Sequence, residues 1–163
     1  MRRLLPTFIL LILLFSAWMI SSVRAETPQL NFEEHIGKVV YVDFWASWCI
    51  PCLQSFPWMQ TMHDKYRKEG LVIIAVNLDH NRAKADAFLK KFKPTFTQIF
   101  DSEGKLAQEY KVVSMPYSFL VDRSGTPRFE HAGFFKSQIN SYEKEIVDLL
   151  NEPAPEQKSD SEM

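Results

Sequence analysis

The sequence predicts an α/β domain in which helices flank both faces of a mixed sheet. Two apolar runs, Val39–Trp45 and Leu71–Leu78, are each followed by a helical pattern, which favours parallel strands joined by right-handed crossovers. Later in the chain, the turn residues Asp122–Gly125 separate two short strand patterns and indicate an antiparallel hairpin. Alternating strands and helices followed by a hairpin therefore predict a mixed sheet between helices.

The individual elements follow from the positions of apolar residues, prolines and glycines. Val39–Trp45 is a β-branched and aromatic run that one acid, Asp43, interrupts, and it is typical of a buried strand. Pro51 suits the first turn of a helix, where its missing N–H removes no hydrogen bond. That helix is expected to be kinked at Pro57 and to end at Gly70. The remaining predicted elements are a strand at Leu71–Leu78, a helix at Ala83–Phe92, a strand at Thr97–Phe100, a turn at Asp101–Gly104, a helical turn at Lys105–Tyr110, strands at Tyr117–Val121 and Arg128–His131, and an amphipathic helix at Lys136–Leu150.

The first 25 residues have the pattern of a secretory signal peptide. Arg2 and Arg3 precede the apolar run Leu4–Ile20, and small residues then precede a cleavage point after Ala25. The alternative is an uncleaved membrane anchor, since an apolar run of about 17 residues lies at the lower edge of what spans a bilayer. Pro6 and the cleavage point favour removal. A periplasmic or otherwise exported protein is expected, tethered through residues 4–20 if cleavage does not occur.

Residues 26–150 form the predicted folded domain, and residues 151–163 a disordered acidic tail. The tail contains two prolines, four acids and one lysine, with few apolar residues. Loss of residues 1–25 would remove three of the 19 basic residues and none of the 20 acidic ones, which leaves a net charge of −4. Such a chain offers no basic face for nucleic acid.

Both cysteines of the chain, Cys49 and Cys52, lie in one short motif between the first strand and the first helix. A bridge that closes only two intervening residues restrains the unfolded chain very little, which disfavours a purely structural disulfide. The backbone N–H groups at a helix start favour the reactive thiolate form of a cysteine. Cys52, one turn further on, can close on Cys49. The spacing thus provides a nucleophile and a resolving thiol for disulfide exchange.

A metal site is the main alternative use of this spacing. A structural zinc ion needs four ligands, usually from two such cysteine pairs, and the sequence contains no second pair. No metal or other cofactor is therefore expected. The histidines are scattered without ligand spacing, at His35, His63, His80 and His131.

The sequence around the two cysteines resembles the thioredoxin superfamily. The run Asp-Phe-Trp-Ala-Ser-Trp-Cys-Ile-Pro-Cys at Asp43–Cys52 is similar to the thioredoxin active-site signature, and Pro57 falls where thioredoxins have a helix proline. Val113–Asp122 resembles the cis-proline segment of the family. Asn77–Val112 resembles the central insertion of the exported TlpA/ResA-like branch. The resemblance spans roughly Lys38–Leu150 and implies a thioredoxin-like fold with a central βα insertion and protein-disulfide oxidoreductase activity.

The resemblance also implies roles for residues outside the cysteine pair. Asp43 corresponds to a buried acid behind the active site, where burial is expected to raise the pKa of the carboxyl and allow it to carry a proton for Cys52, directly or through water. The alternative is an acid satisfied by hydrogen bonds. Pro116 corresponds to the cis-proline that faces the disulfide, where the preceding backbone pairs with an extended substrate. Met115 would contact substrate as a large, adaptable side chain, unless it serves packing alone.

Residues beside the pair are expected to set its properties. Trp48 would form an apolar rim for docking, and the intervening dipeptide Ile50–Pro51 would tune the reduction potential. One departure from the family pattern is Ser55, which stands where cytochrome-maturation members often have a glutamate. Those members also commonly lack an acid at the position of Asp43. Both departures disfavour a dedicated role toward apocytochromes.

Three functions remain open from the sequence. In the first, reduced Cys49 attacks a disulfide in a partner protein, Cys52 resolves the mixed disulfide, and a membrane electron donor reduces the pair again. The thioredoxin-like Ile50–Pro51 dipeptide favours this reductase. In the second, the same chemistry runs in reverse, as in an oxidase or isomerase. In the third, the cysteines and His131 bind copper, although copper-handling relatives usually have three residues between their cysteines.

Overall fold

The computed structural model describes residues 29–155, so the predicted signal peptide and the tail from residue 156 onward lie outside the described residues. Within the described range, no helix has the length and apolar character needed to cross a membrane. The strands are β1 (Val39–Trp45), β2 (Leu71–Asn77), β3 (Thr97–Phe100), β4 (Tyr117–Val121) and β5 (Pro127–Ala132), and the α-helices are α1 (Cys52–Tyr66), α2 (Arg82–Phe92), α3 (Lys105–Glu109) and α4 (Ile139–Asn151).

The five strands form one mixed sheet in the order β3-β2-β1-β4-β5. Strands β1, β2 and β3 are parallel, whereas β4 is antiparallel to both β1 and β5. The crossover helices α1 and α2 join the parallel strands, because parallel neighbours cannot be joined by a tight turn. This arrangement confirms the predicted fold class and makes β1 the central strand.

Several helix boundaries differ from the predictions. Pro51 was expected in the first turn of the first helix, but regular α-helix starts at Cys52, and Pro51 has helical dihedrals and serves as the flanking residue. The last predicted turn of this helix is a separate 3₁₀ helix, Arg67–Glu69. Gly70 follows it with a left-handed φ of 107° and ends the helical segment. The final helix likewise begins with a 3₁₀ turn before α4, which extends to Asn151.

Alternation along β1 divides the core between the two faces of the sheet. Tyr41 and Trp45 point to the face covered by α1, α2 and α4, while Val42 and Phe44 point to the opposite face, where α3 packs. Asp43 lies between Tyr41 and Trp45 in the alternation and therefore belongs to the α1 and α4 face. An acid thus occupies the centre of an otherwise apolar layer.

The turn between β4 and β5 is organised around the carboxylate of Asp122. Its Oδ1 accepts hydrogen bonds from the backbone N–H groups of Ser124 (2.9 Å) and Thr126 (3.1 Å) and from the hydroxyl of Ser124 (2.6 Å). Its Oδ2 accepts from Nη1 of Arg128 at 3.0 Å. Burial by itself would raise the pKa of Asp122, but the hydrogen bonds from Ser124 and Arg128 outweigh it and lower the pKa to about 2.

Candidate active site

The two cysteines form a disulfide at the junction between β1 and α1. The backbone N–H of Cys52, the first residue of α1, points at the sulfur of Cys49 with an N···Sγ distance of 3.3 Å. This donor lies at the positive end of a 15-residue helix, where negative charge on a thiolate is stabilised. Cys49 is 3% exposed and Cys52 is fully buried. Of the two sulfurs, that of Cys49 is therefore the one nearer to an approaching disulfide.

The loop that carries Cys49 is fixed by a carboxylate that the sequence did not indicate. Both oxygens of Asp79 accept hydrogen bonds from Ser47, from its backbone N–H and from its hydroxyl, each at 2.8 Å. Asn77, at the end of β2, donates its side-chain amide to Asp79 Oδ2 at 2.8 Å. Asp79 is buried, so these bonds anchor the loop to the neighbouring strand. The sequence shows Asn77 and Asp79 as polar residues at the end of a predicted strand. Their contact with Ser47 follows only from the pairing of that strand with β1.

The opposite wall of the site is the segment before β4. The peptide bond between Met115 and Pro116 is cis, and the carbonyl of Pro116 accepts a hydrogen bond from the N–H of Gly133 at 2.8 Å. A cleft of about 440 Å³ separates this segment from the cysteine loop. The residues that line it are Trp48, Cys49, Ile50, Pro51, Val113, Ser114 and Met115.

This cleft brings most of the predicted site residues together beside Cys49. Trp48 and Ile50, two large apolar side chains, are 65% and 71% exposed on one side of it. Val113, on the other side, is 85% exposed; it begins the segment that resembles the cis-proline segment, but it was not predicted as a site residue. Exposed apolar surface on both sides of a reactive sulfur is suited to contact with another protein.

Asp43 lies on the central strand, outside the lining of the cleft, and is 1% exposed. Among the residues that the structure describes, no hydrogen-bond donor reaches its Oδ2 atom. Burial without compensation disfavours the charged form and raises the pKa of the Asp43 carboxyl well above its usual value. The absence of a donor to Oδ2 among the described residues favours the reactive acid over the hydrogen-bonded acid that the sequence left open as an alternative.

Two further residues singled out in the sequence have local contacts. Ser55 is fully buried, and its hydroxyl donates to the backbone carbonyl of Cys52 at 3.3 Å, so its bond lies within the first turn of α1. His131 contacts the carboxylate of Glu145 with an Nε2···Oε2 distance of 2.8 Å. Within residues 29–155, no group of three or more histidine, cysteine and acidic side chains is placed to hold a metal ion.

A redox-capable cysteine pair at a helix start, beside a cis-proline segment on a mixed sheet, defines a protein-disulfide oxidoreductase of thioredoxin-like architecture. Residues 37–126 match the family model described as Thioredoxin-like, which is more than half of the chain. The protein therefore belongs to the thioredoxin-like family, and the family predicted from the sequence is confirmed.

The relatives found by sequence share this chemistry. The chain is 32% identical over 123 residues to thiol-disulfide oxidoreductase ResA of Bacillus thuringiensis subsp. konkukian (strain 97-27), which covers 75% of this chain and 71% of the relative. It is 30% identical over 142 residues to sporulation thiol-disulfide oxidoreductase A of Bacillus subtilis (strain 168). That match covers 76% of this chain and 86% of the relative.

A solved structure supports the same assignment. A crystal structure from Chlorobium tepidum, assigned to the thiol:disulfide interchange protein DsbE, is 43% identical and superimposes with a TM-score of 0.71. The match covers 74% of this chain and 85% of that one. Together with the cysteine pair, these relatives establish the enzyme as a thiol–disulfide oxidoreductase.

Proposed function

We propose that the protein is an exported reductase that acts on disulfides in partner proteins. The observation that carries the proposal is the arrangement of a near-surface cysteine, a fully buried cysteine and an unpartnered buried acid at one disulfide. Thiol–disulfide oxidoreductases can run in either direction, so the direction must come from the site itself. The thioredoxin-like dipeptide Ile50–Pro51 and the acid Asp43 favour a reducing site.

The catalytic cycle follows from the different burial of the two sulfurs. In the reduced protein, the Cys49 thiolate attacks one sulfur of the substrate disulfide, forms a mixed disulfide and releases the other substrate sulfur as a thiolate. Cys52 then attacks the Cys49 sulfur, which releases the second substrate thiolate and forms the Cys49–Cys52 disulfide. Two electrons have moved from the protein to the substrate. The full burial of Cys52 supports its role as the resolving thiol.

Asp43 is the proposed proton acceptor for Cys52. A buried thiol must lose its proton before it can attack, and a carboxylate on the same face of the sheet is a suitable base. The raised pKa of Asp43 makes its carboxylate a stronger base than that of an ordinary aspartate. Because no donor satisfies Oδ2, that oxygen is free to receive the proton.

The substrate is proposed to bind along the cis-proline segment. The backbone groups of Ser114 and Met115 make no hydrogen bond to other described residues, so they are available to pair with an extended substrate as an added strand. Met115, which lines the cleft, would then contact the substrate backbone, and the buried Pro116 would hold the segment in place behind it. Trp48 and Ile50 would cover apolar side chains next to the substrate cysteine. Such contacts select exposed, extended disulfide segments rather than one sequence.

The proposal also includes export of the domain and renewed reduction of its Cys49–Cys52 disulfide after each cycle. The signal-peptide pattern of residues 1–25 would carry the domain out of the cytosol, and residues 4–20 would tether it where cleavage does not occur. Compartments outside the cytosol are oxidising, so a reductase there needs a membrane donor of electrons by thiol–disulfide exchange. Determination of the N-terminus of the protein from membrane and soluble fractions tests this part: Glu26 as the first residue supports cleavage, and a cytosolic, unprocessed protein contradicts export.

The direction of electron flow is tested by the reduction potential of the Cys49–Cys52 pair, equilibrated against glutathione or a reference dithiol. A value near that of thioredoxin, about −270 mV, is expected for a reductase. A value near that of a strong oxidase, about −120 mV, would overturn the proposed direction and favour the oxidase alternative. Asp122→Asn serves as a control, because its carboxylate belongs to the β4–β5 turn rather than to the site.

The roles of the two cysteines give a separate prediction. Cys49→Ser should abolish disulfide reduction, whereas Cys52→Ser should still attack and then accumulate a mixed disulfide with its substrate, because the resolving thiol is missing. Non-reducing gel electrophoresis and mass spectrometry detect the trapped species. Normal turnover by Cys52→Ser would show that the assigned roles are wrong.

A further inference from the structure

Asn77 is the last residue of β2 and lies where three parallel strands end together. Its register partners are Trp45, the last residue of β1, and Phe100, the last residue of β3. Asn77 is 1% exposed, so its polar groups need hydrogen-bond partners within the protein. An asparagine at this place can join the loops that follow the two neighbouring strands.

The side chain of Asn77 is linked to the loop that carries Cys49. Its Nδ2 donates to Oδ2 of Asp79 at 2.8 Å, and its Oδ1 accepts from the backbone N–H of Asp79 at 3.1 Å. The same Asp79 carboxylate accepts the two hydrogen bonds from Ser47. Ser47 directly precedes residues 48–51, which form one wall of the cleft. The side chain of Asn77 therefore helps to hold this wall.

The main chain of Asn77 is linked to the opposite wall, which residues 113–115 form. The carbonyl of Asn77 accepts from the N–H of Asp101 at 2.8 Å. Oδ2 of Asp101 accepts from the N–H of Ala107 in α3 at 3.0 Å, and the carbonyl of Ala107 accepts from the N–H of Val112 at 2.8 Å. The opposite wall begins at the next residue. Both walls are thus connected to one residue of β2.

The second wall depends on the bonds at its ends. Residues 113–115 make no backbone–backbone hydrogen bond to other described residues. At one end, Val112 is bonded to Ala107, and at the other end the carbonyl of Pro116 accepts from the N–H of Gly133 at 2.8 Å. The link from Asn77 through α3 therefore controls one of the two points at which hydrogen bonds hold this wall.

Both links contain a buried carboxylate that depends on the link for its hydrogen bonds. Asp79 is 4% exposed and Asp101 is 2% exposed. Among the described residues, neither forms an ion pair with a lysine, arginine or histidine. Hydrogen bonds to a charged acceptor are among the strong ones, and a buried acceptor without its donors is destabilising. These bonds therefore fix the two loops more firmly than neutral bonds at the surface would.

We propose that Asn77 is a positioning residue that sets the distance between the two walls of the cleft, and with it the fit of an extended substrate. The inference rests on the proposed docking of the substrate between these walls. Asn77 touches neither the substrate nor the sulfurs, because it acts through Asp79 on one wall and through Asp101 on the other. The bonds that form and break during exchange are unchanged. A small disulfide, which reaches Cys49 without spanning the cleft, should not depend on Asn77.

The test compares two substrates with the reduced full chain. One is 2-hydroxyethyl disulfide, and the other is an extended peptide whose central cysteine is joined by a disulfide to 2-mercaptoethanol. In Asn77→Ala, kcat/KM for the peptide should fall by about tenfold, mainly through KM, because the contacts of the bound peptide are misplaced. The value of kcat/KM for the small disulfide and the reduction potential of the cysteine pair should remain those of the wild type.

Asp101→Asn tests the same inference from the opposite wall. The substitution replaces one of the two acceptor oxygens by an amide group that cannot accept, although the residue has no bond to the loop of Cys49. It should therefore show the same loss, confined to the peptide. Ser47→Ala removes one bond to Asp79 and retains the backbone bond, so a smaller loss with the peptide is expected.

A matched control is Asn81→Ala. Asn81 accepts from the N–H of Ala83 at 3.0 Å at the start of α2, and its side chain has no bond to either wall, so both substrates should be reduced at wild-type rates. Circular dichroism establishes which variants fold, and Ser47→Ala provides the result if Asn77→Ala does not.

Two outcomes are contrary to the proposals and can be told apart. Equal losses with both substrates, or no loss with the peptide, in the folded variants of Asn77, Asp101 and Ser47 would overturn the role of Asn77 and leave the proposed reductase intact. A wild-type protein that reduces the peptide no better than the small disulfide would overturn the proposed docking in the cleft, and this inference with it.

Discussion

Two buried aspartates, one on the central strand and one at the β4–β5 turn, behave in opposite ways. Asp122 is 8% exposed and accepts four hydrogen bonds, which lower its pKa to about 2. Asp43 is 1% exposed, and its Oδ2 has no donor among the described residues, so burial raises its pKa. The side chain is the same, and the supply of donors determines the direction of the shift.

The difference separates a structural acid from a reactive one. Around Asp122, the chain provides a serine, an arginine and backbone N–H groups, and the charged carboxylate stabilises the turn. Around Asp43, the chain provides an apolar layer and a redox pair, and the charged carboxylate is destabilising. A group that reduces stability, on the sheet face that the helix of the reactive cysteines covers, is the kind of group expected at a catalytic site.

The largest expected effect concerns disulfide reduction in Asp43→Asn and Asp122→Asn. Removal of the proposed proton acceptor should lower kcat/KM by about 100-fold at neutral pH, since general base catalysis typically contributes that much or more. The Asp122→Asn variant, which is matched in chemistry, should retain the wild-type rate. A steady-state assay with a protein disulfide measures both. Equal losses of kcat/KM in the two variants would mean that the carboxyl of Asp43 has no catalytic role that the carboxyl of Asp122 lacks.

The same two substitutions should change stability in opposite directions. At pH 7, Asp122→Asn should lose about 2 kcal/mol, because a pKa lowered from 3.8 to about 2 corresponds to about 1.4 kcal/mol for each unit. Asp43→Asn should be more stable than the wild type at pH 8, because it removes an uncompensated buried charge. Urea unfolding of the oxidised proteins gives both free energies.

The pH dependence of these differences provides a sharper check. The folded-state pKa of Asp122 is lowered, so its stabilising effect is complete above about pH 4 and disappears as the pH falls toward 2. The folded-state pKa of Asp43 is raised, so its destabilising effect is absent below the ordinary value of 3.8, grows as the pH rises from there, and is complete above the folded-state pKa. A gap between Asp43→Asn and the wild type that is widest at acid pH would contradict this assignment.

The smallest expected effect is that of Ser124→Ala. The change removes the 2.6 Å hydroxyl donor to Asp122 but leaves the backbone donors and Arg128 in place. A loss of about 1 kcal/mol is expected at pH 7, as for a typical hydrogen bond to a charged group with remaining partners. Thermal unfolding measures it, and Ser102→Ala, at an exposed turn, is a control in which no loss is expected. A loss of activity in Ser124→Ala would mean that the turn and the active site are coupled.

Much of the fold could be predicted because apolar periodicity and turn residues are local signals. Val39–Trp45 is a continuous β-branched and aromatic run, and the same residues form β1 in the structure. The Asp122–Gly125 segment was predicted to form a turn from its residue types. In the structure, the carboxylate of Asp122 accepts the hydrogen bonds that hold this turn. The start of α1 was harder to predict, because Pro51 has helical dihedrals without belonging to the regular helix.

The parts of the site that could not be predicted depend on contacts between distant segments. The bonds between Ser47 and Asp79 require the ends of β1 and β2 to be neighbours, and no local pattern shows this. The alignment of Asp43, Ser118 and His131 across β1, β4 and β5 depends on strand register, and a shift of one residue would abolish it. For this reason the sequence could place His131 only in a predicted strand and as a candidate copper ligand, without its neighbours on the sheet.

The role of Asp43 as proton acceptor is tested by the rate at which Cys52 resolves a preformed mixed disulfide on Cys49, measured in a single turnover across a range of pH. In the wild type, this rate should rise with pH through the ionisation of Asp43. In Asp43→Asn, that ionisation should be missing, and the rate should be lower by about 100-fold at neutral pH. Identical rates and pH profiles in the two proteins would contradict the account of Asp43 as the proton acceptor.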